Sequence, residues 1–262
     1  MVDWQRKKAA VFRPSLGRLK GIDTLDPITL DALVGIGEQK RRLIENTEAF
    51  LRGEEAENVL LWGSRGTGKS SLVKALLNAY ADRGLRVIEF FKEDLRHLPD
   101  VLDEIRGEPW RFILFLDDLT FGEGENIYTY LKSAMEGSIE PSPDNLLVYA
   151  TSNRRHLVPE YQRENEATII REGEIHYTDS VEEKISLADR FGLWLAFYPL
   201  NQEEYLAVVD HYFKGEEIDR EALHREALRF AQERASRSGR TARQFWKAWK
   251  GRLRRVGGQA SR

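Results

Sequence analysis

The sequence predicts an α/β fold: a five-stranded parallel sheet flanked by helices, followed by a C-terminal helical unit. Three observations carry this. Apolar runs of strand length alternate with helical periodicity between residues 25 and 199. The first such run, 59–62, passes through Gly63-Ser64-Arg65-Gly66-Thr67-Gly68-Lys69-Ser70 into Leu72, Val73, Leu76 and Leu77 at helical spacing. From Asn201 onward only helical patterns follow. Strands alternating with helices build a parallel sheet covered on both faces.

The elements follow in order. Residues 1–24, basic and turn-rich around Pro14 and Gly17, read as an N-terminal arm. Residues 25–33 carry alternating apolar positions, and 38–51 place Leu43, Ile44, Thr47, Phe50 and Leu51 on one helical face. The helix after the glycine loop runs to about Arg83, with Gly84 as its C-cap. Residues 85–91 form the second strand, and 95–105 a modest helix interrupted at Pro99. Residues 111–116 are a strongly apolar third strand ending in Asp117-Asp118, and 127–135 are helical. Residues 146–150 are the fourth strand, ending at Thr151-Ser152-Asn153. Residues 154–180 are long enough to hold an inserted helix or hairpin. Residues 181–190 read as a helix and 193–198 as the fifth strand, with a boundary near Pro199. Helices at 203–212, 220–236 and 241–255 complete the chain, which divides into an arm (1–24), an α/β domain (25–199) and a helical lid (200–262).

Composition narrows the function. The chain has 262 residues, ample for two such units, and a net charge of −3 that conceals an asymmetry. From Arg229 to the end, Glu233 is the only acid, which suits a solvated helix face or a contact with nucleic acid. With no cysteine there is no disulfide, thiolate metal site or cysteine nucleophile. The five histidines lack metal-site spacing. No run approaches membrane-spanning length, and residues 1–12 carry charges where a signal peptide needs an apolar core. The expectation is a cytoplasmic protein with no membrane contact.

Strand, G-x-x-x-x-G-K-S loop and helix, in that order, point to nucleoside triphosphate binding. Glycines let the loop turn tightly and aim its N–H groups at phosphate oxygens, and the helix presents its positive end to the same anion. Gly63, Ser64, Arg65, Gly66, Thr67, Gly68, Lys69, Ser70 and Ser71 are therefore the phosphate-binding candidates. Lys69 reaches the outer phosphates, and Ser70 ligates Mg²⁺. Asp117, at a strand tip, is placed to hold Mg²⁺ through its water shell. Asp118 is the candidate general base, unless it serves only a strand-end turn. Asn153 follows a strand expected between the first and third, where a carboxamide helps fix the attacking water.

These residues bring out a family. From about Leu33 to Trp249 the chain resembles the AAA+ ATPases, most closely a bacterial group of stand-alone members classed as a domain of unknown function. Leu33-Val34-Gly35-Ile36-Gly37 resembles the adenine-wrapping segment, which implies base contacts from Val34 and Gly35. Residues 63–70 match Walker A and 112–118 Walker B, and Ala150-Thr151-Ser152-Asn153-Arg154 is similar to sensor 1. Leu187-Ala188-Asp189-Arg190-Phe191-Gly192 is similar to the arginine-finger segment of the bacterial Holliday-junction branch-migration motor. Gly239-Arg240-Thr241-Ala242-Arg243 resembles sensor 2, which implies Arg243 as γ-phosphate sensor with Arg240 its rival one turn away.

The resemblance implies a homo-oligomeric ring, taken as a hexamer, that hydrolyses ATP with Mg²⁺ between subunits and remodels or loads a protein or nucleic acid client. Arg190 would act on the neighbour's nucleotide. A DNA-directed motor or loader is one alternative, and a nucleotide-gated switch with little turnover is another. Two departures bear on these. Walker B ends Asp-Asp, a base one methylene shorter than the usual Asp-Glu. Phe90-Phe91-Lys92 does not match the pore loop of protein-threading members.

Overall fold

The computed structural model describes residues 1–120, 128–137, 139–153, 169–171, 174–176 and 186–257. Its strands are β1 (Ala9–Arg13), β2 (Arg18–Gly21), β3 (Val59–Gly63), β4 (Leu85–Phe90), β5 (Arg111–Leu116), β6 (Leu146–Ser152), β7 (Ile169–Arg171), β8 (Glu174–His176) and β9 (Leu193–Phe197). Its α-helices are α1 (Gly37–Arg52), α2 (Lys69–Tyr80), α3 (Leu98–Ile105), α4 (Tyr128–Glu136), α5 (Gln202–Tyr212), α6 (Arg220–Glu233) and α7 (Gly239–Gly257).

Seven strands form the main sheet, in the order β2-β1-β4-β5-β6-β3-β9. All neighbours are parallel except β1 and β2, which pair antiparallel. The fold class is as expected, with two corrections. Residues 1–24 are not an arm, because β1 and β2 extend the sheet beyond β4. Without β1 that edge of β4 would leave its N–H and C=O groups unpaired. Ala9, Ala10, Val11 and Phe12 are all buried, so they form a continuous apolar run rather than an alternating one. Arg86, wholly buried under the Trp110 ring, donates to the Trp4 carbonyl at 2.8 Å and ties the first residues down. The second correction concerns Pro99. It lies in the first turn of α3, where its missing N–H costs nothing, and a 3₁₀ segment (Lys92–His97) precedes it.

Both sheet faces are covered. Leu43 and Phe50 of α1 and Leu72, Val73, Leu76 and Leu77 of α2 pack on Val59, Leu61, Ile113 and Tyr149. Opposite, Leu98, Val101 and Ile105 of α3 and Leu131 of α4 pack on Leu60, Phe112, Leu114 and Val148. Helices α5 to α7 hold a separate apolar cluster around Tyr205, Val209, Phe213, Leu223 and Phe245. An Asn201–Glu204 capping box starts α5. Of the expected insertion, β7 and β8 are described and form an antiparallel pair; the rest of 154–180 lies outside the described residues. Of the expected helix 181–190, only 186–190 is described, helical at 186–188 and then a turn. Residues 258–262 of the basic tail also lie outside. Among the described residues no helix is long and apolar enough to cross a membrane.

Candidate functional site

β3 is hydrogen-bonded on both sides, to β6 and β9, so its C-terminal end is held rigidly. There the chain enters the glycine loop. Gly63 has φ 125°, and a Cβ on it would run into the Phe197 carbonyl, while Ser64 N donates to that same oxygen at 2.9 Å. Gly66 (φ 78°) and Gly68 (φ 104°) also need left-handed backbone. Gly68 caps α2 without any side-chain hydrogen bond, leaving the first amides of the helix available to an anion. Lys69 is only 6% exposed. Its ammonium donates to Gly63 O at 2.7 Å, Ser64 O at 2.8 Å and Asn153 Oδ1 at 3.3 Å, using all three protons. Reaching a phosphate therefore means exchanging some of these bonds. Burial holds the Lys69 pKa below its ordinary value, and the charges of Asp117 and Asp118 pull it back up.

Asp117 and Asp118 stand exposed at the tip of β5. Asp117 Oδ1 accepts from Ser70 Oγ and from Thr151 Oγ1, each at 2.6 Å. The same Thr151 hydroxyl accepts from Asp118 N at 2.8 Å, so one buried side chain sets both carboxylates. Asp118 has φ 57°, which is uncommon outside glycine, and its carboxylate accepts from Asn153 Nδ2. β6 lies between β3 and β5, which brings Asn153 between Lys69 and Asp118. The Ser70 and Asp117 oxygens are hard donors bonded to one another beside the glycine loop. That fits Mg²⁺, which takes one or two protein oxygens and completes its shell with phosphate and water. No group of three His, Cys, Asp or Glu side chains that could hold a metal gathers anywhere among the described residues.

These groups open into a cleft of about 680 Å³. Arg65, Lys69, Lys74, Arg240 and Arg243 bring five cations to it against the carboxylates of Asp26, Asp117 and Asp118, an excess suited to a polyphosphate. Val34, with Leu33 and Ile36, forms an apolar wall facing Leu200, Val208 and Tyr212 of the helical unit. Gly35 does not line the cleft, but a Cβ there would lie 3.1 Å from Leu200, so it permits the two walls to approach. Gly63 and Ser64 also sit behind the lining and hold Lys69 instead. The helical unit rests on the loop itself, with Arg240 N donating to Gly66 O at 3.3 Å. Both Arg240 and Arg243 reach the cleft. The sequence reading missed Asp26, Lys74, Thr151 and Tyr212 as lining residues. Lys74 had a usable signal, one helical turn beyond Ser70, whereas Tyr212 meets the cleft only through the packing of α5.

Arg190 is not in this cleft. It precedes β9, at the end of the sheet opposite the glycine loop, about 17 Å away over the five residues of β3. Its guanidinium is paired with Glu136 at the end of α4 and donates to Ser186 Oγ at 2.7 Å, leaving the side chain 16% exposed. Asn58 Nδ2 donates to its carbonyl at 3.4 Å.

Residues 5–253 match the family described as "Protein of unknown function (DUF815)". The chain belongs to DUF815. Among curated proteins it is similar to the replication factor C large subunit of Methanococcus maripaludis (strain C7), 33% identical over 86 residues. The same subunit of Methanococcus vannielii is 31% identical over 86 residues. Each match takes in 33% of this chain and 17% of the relative, so the likeness covers a small part of those proteins. Among solved structures, an alanine-to-serine variant of Thermotoga maritima RuvB aligns with a TM-score of 0.60 at 16% identity, over 88% of this chain and 67% of that one. A proline-to-glycine variant gives 0.59 at 19% identity, over 89% and 68%. The RuvB described as a Holliday junction branch migration motor gives 0.50 at 16%, over 85% and 72%. This DUF815 chain therefore has the RuvB-like AAA+ fold, with the β1–β2 hairpin at one edge of the sheet.

Proposed function

We propose that this chain binds ATP with Mg²⁺ in the cleft, hydrolyses it at a contact between protomers, and uses the cycle to remodel or load a macromolecule. One observation carries the reading. Lys69, the Ser70–Asp117–Thr151 oxygens and the Asn153–Asp118 pair converge on a single cationic cleft at the C-terminal ends of the strands. In this reading the loop amides and Lys69 hold the phosphates, and Val34 lies against the base. Mg²⁺, when bound, offsets charge on the phosphate oxygens, with Ser70 as ligand and Asp117 holding its waters. Asp118 takes the proton of the attacking water, which Asn153 helps to orient. Residues 200–262 act as a lid over residues 25–199, with Arg243 or Arg240 reporting the γ-phosphate.

Arg190 is too far from its own cleft to serve it, which supports a role on a neighbour's nucleotide in a ring once Glu136 releases it. A second reading, a DNA-directed motor or loader, rests on the RuvB and replication factor C relatives. A switch with little turnover rests on the Asp-Asp ending, and a steady-state rate separates it from a motor. The deciding test is titration of a fluorescent ATP analogue with Mg²⁺. Lys69→Ala is expected to abolish binding, while Asp118→Asn keeps binding and loses turnover. Binding unchanged in Lys69→Ala refutes the site.

A further inference from the structure

Residues 5–20 contain six cations and no acid. Folding uses three of them. Lys7 pairs with Asp23, Lys8 with Asp82 at 2.9 Å, and Arg6 lies 3.7 Å from Asp3. The other three, Arg13, Arg18 and Lys20, are exposed on the β1–β2 hairpin. Arg13 is directly opposite Arg18 in the register, and Lys20 is opposite Val11. Residues opposite one another, or two apart on a strand, share a face, so all three cations point to the same side. Phe12 and Leu19 fill the other side. Like charges placed directly opposite in an antiparallel pair oppose its formation. No hydrogen bond or ion pair engages the side chain of Arg13 or Arg18 among the described residues. Lys20 acts at a distance on Asp23.

An aromatic ring completes the row. The Phe12 and Phe90 rings stack at 4.9 Å, which sets β1 level with β4 there, so the next residues, Arg13 and Phe91, are level too. Phe91 is 45% exposed. Glu89, opposite Val11, is the acid on this face of β4. Charges on an edge strand ordinarily discourage strand addition. That purpose does not explain an exposed phenylalanine beside them, nor Leu16, 53% exposed at the hairpin tip.

We propose that Arg13, Arg18, Lys20 and Phe91 form a docking surface for single-stranded nucleic acid. The cations match its phosphates, and the exposed ring offers a face for an unpaired base to stack on. A duplex keeps its bases inside and has no such use for Phe91. The assignment names a partner that the ATPase reading leaves open, and it does not depend on the cleft.

The experiment is fluorescence anisotropy of a labelled oligothymidylate with the full chain over a salt series. Binding is expected, and replacing all three cations (Arg13→Gln, Arg18→Gln, Lys20→Gln) should flatten the log K against log salt slope by about 2, from roughly 0.7 per phosphate contact. Phe91→Ala should weaken binding on the order of tenfold at an unchanged slope. Lys69→Ala, which disables the cleft, should bind the oligonucleotide as the wild type does, so failure of the ATPase reading and of this one are told apart. Thermal melting of the triple variant should be unchanged or higher, because a repulsion is removed. The proposal is overturned if the triple variant keeps the wild-type affinity and slope. It is equally overturned if a duplex of the same length binds as tightly and Phe91→Ala has no effect.

Discussion

Thr151→Val removes one hydroxyl and preserves the side-chain shape, which makes it the sharpest probe of how the two carboxylates are held. Thr151 is 2% exposed, and its Oγ1 both donates to Asp117 at 2.6 Å and accepts from Asp118 N at 2.8 Å. Its carbonyl bond from Leu119 N, 2.7 Å, survives the change. Asp117 keeps Ser70 and gains water at its exposed side, so most of the cost falls on the Asp118 amide, left without its acceptor. An unmade donor of this kind costs about 1–3 kcal/mol. At roughly 2–4 °C per kcal/mol for a chain of this size class, melting should fall by about 2–12 °C. Turnover should suffer more than stability. Asp118 sits at φ 57° and is free to relax once that bond is gone, and small misplacements of a reacting group cost up to about 100-fold in rate. ATP affinity, set by the loop, should change little, and Thr151→Ser should restore both properties. Calorimetry and a steady-state phosphate-release assay make the test. If Thr151→Val melts and turns over like the wild type, the hydroxyl does not organise the site.

Mixing Arg190→Ala with Lys69→Ala should recover part of the ATPase rate, because one interface then holds an intact loop and an intact arginine; no recovery refutes action between protomers. Glu136→Gln should raise the wild-type rate at low protein concentration by loosening the pairing that engages Arg190. Gly63→Ala should destabilise the protein by several kcal/mol, as a Cβ meets the Phe197 backbone at φ 125°, and soluble expression with wild-type melting would contradict that geometry. Burial pushes Tyr149 and Tyr205 up to about 12. Between pH 10 and 12 the unfolded chain loses these phenolic protons while the folded one keeps them. Stability should therefore fall with rising pH across that window, read as absorbance at 295 nm tracking unfolding.

The sequence by itself determined the strand–loop–helix proposed to cradle phosphate, because glycine positions and a lysine-serine pair at fixed spacing are local requirements of one turn. It determined the strand-tip acids for the same reason, since Phe112 to Leu116 can only be a buried strand and the polar residues must follow at its end. The succession of strands and helices along the chain, and the all-helical end, were also legible from periodicity.

Only the tertiary structure decided what depends on neighbours distant in the chain. Whether Ala9 to Phe12 formed a strand depended on the open edge of β4, which basic flanking residues concealed. Thr151 became the pivot of both carboxylates because β6 lies beside β5, a register that no local pattern encodes. Arg240 and Arg243 reach the cleft because α7 docks on Gly66, and Tyr212 because α5 packs alongside. Arg190 was recognisable as a type of residue, but its place at the far end of the sheet came from the direction of β9. Hydrogen bonding within a turn is written locally, whereas burial and pairing are set by whatever packs alongside.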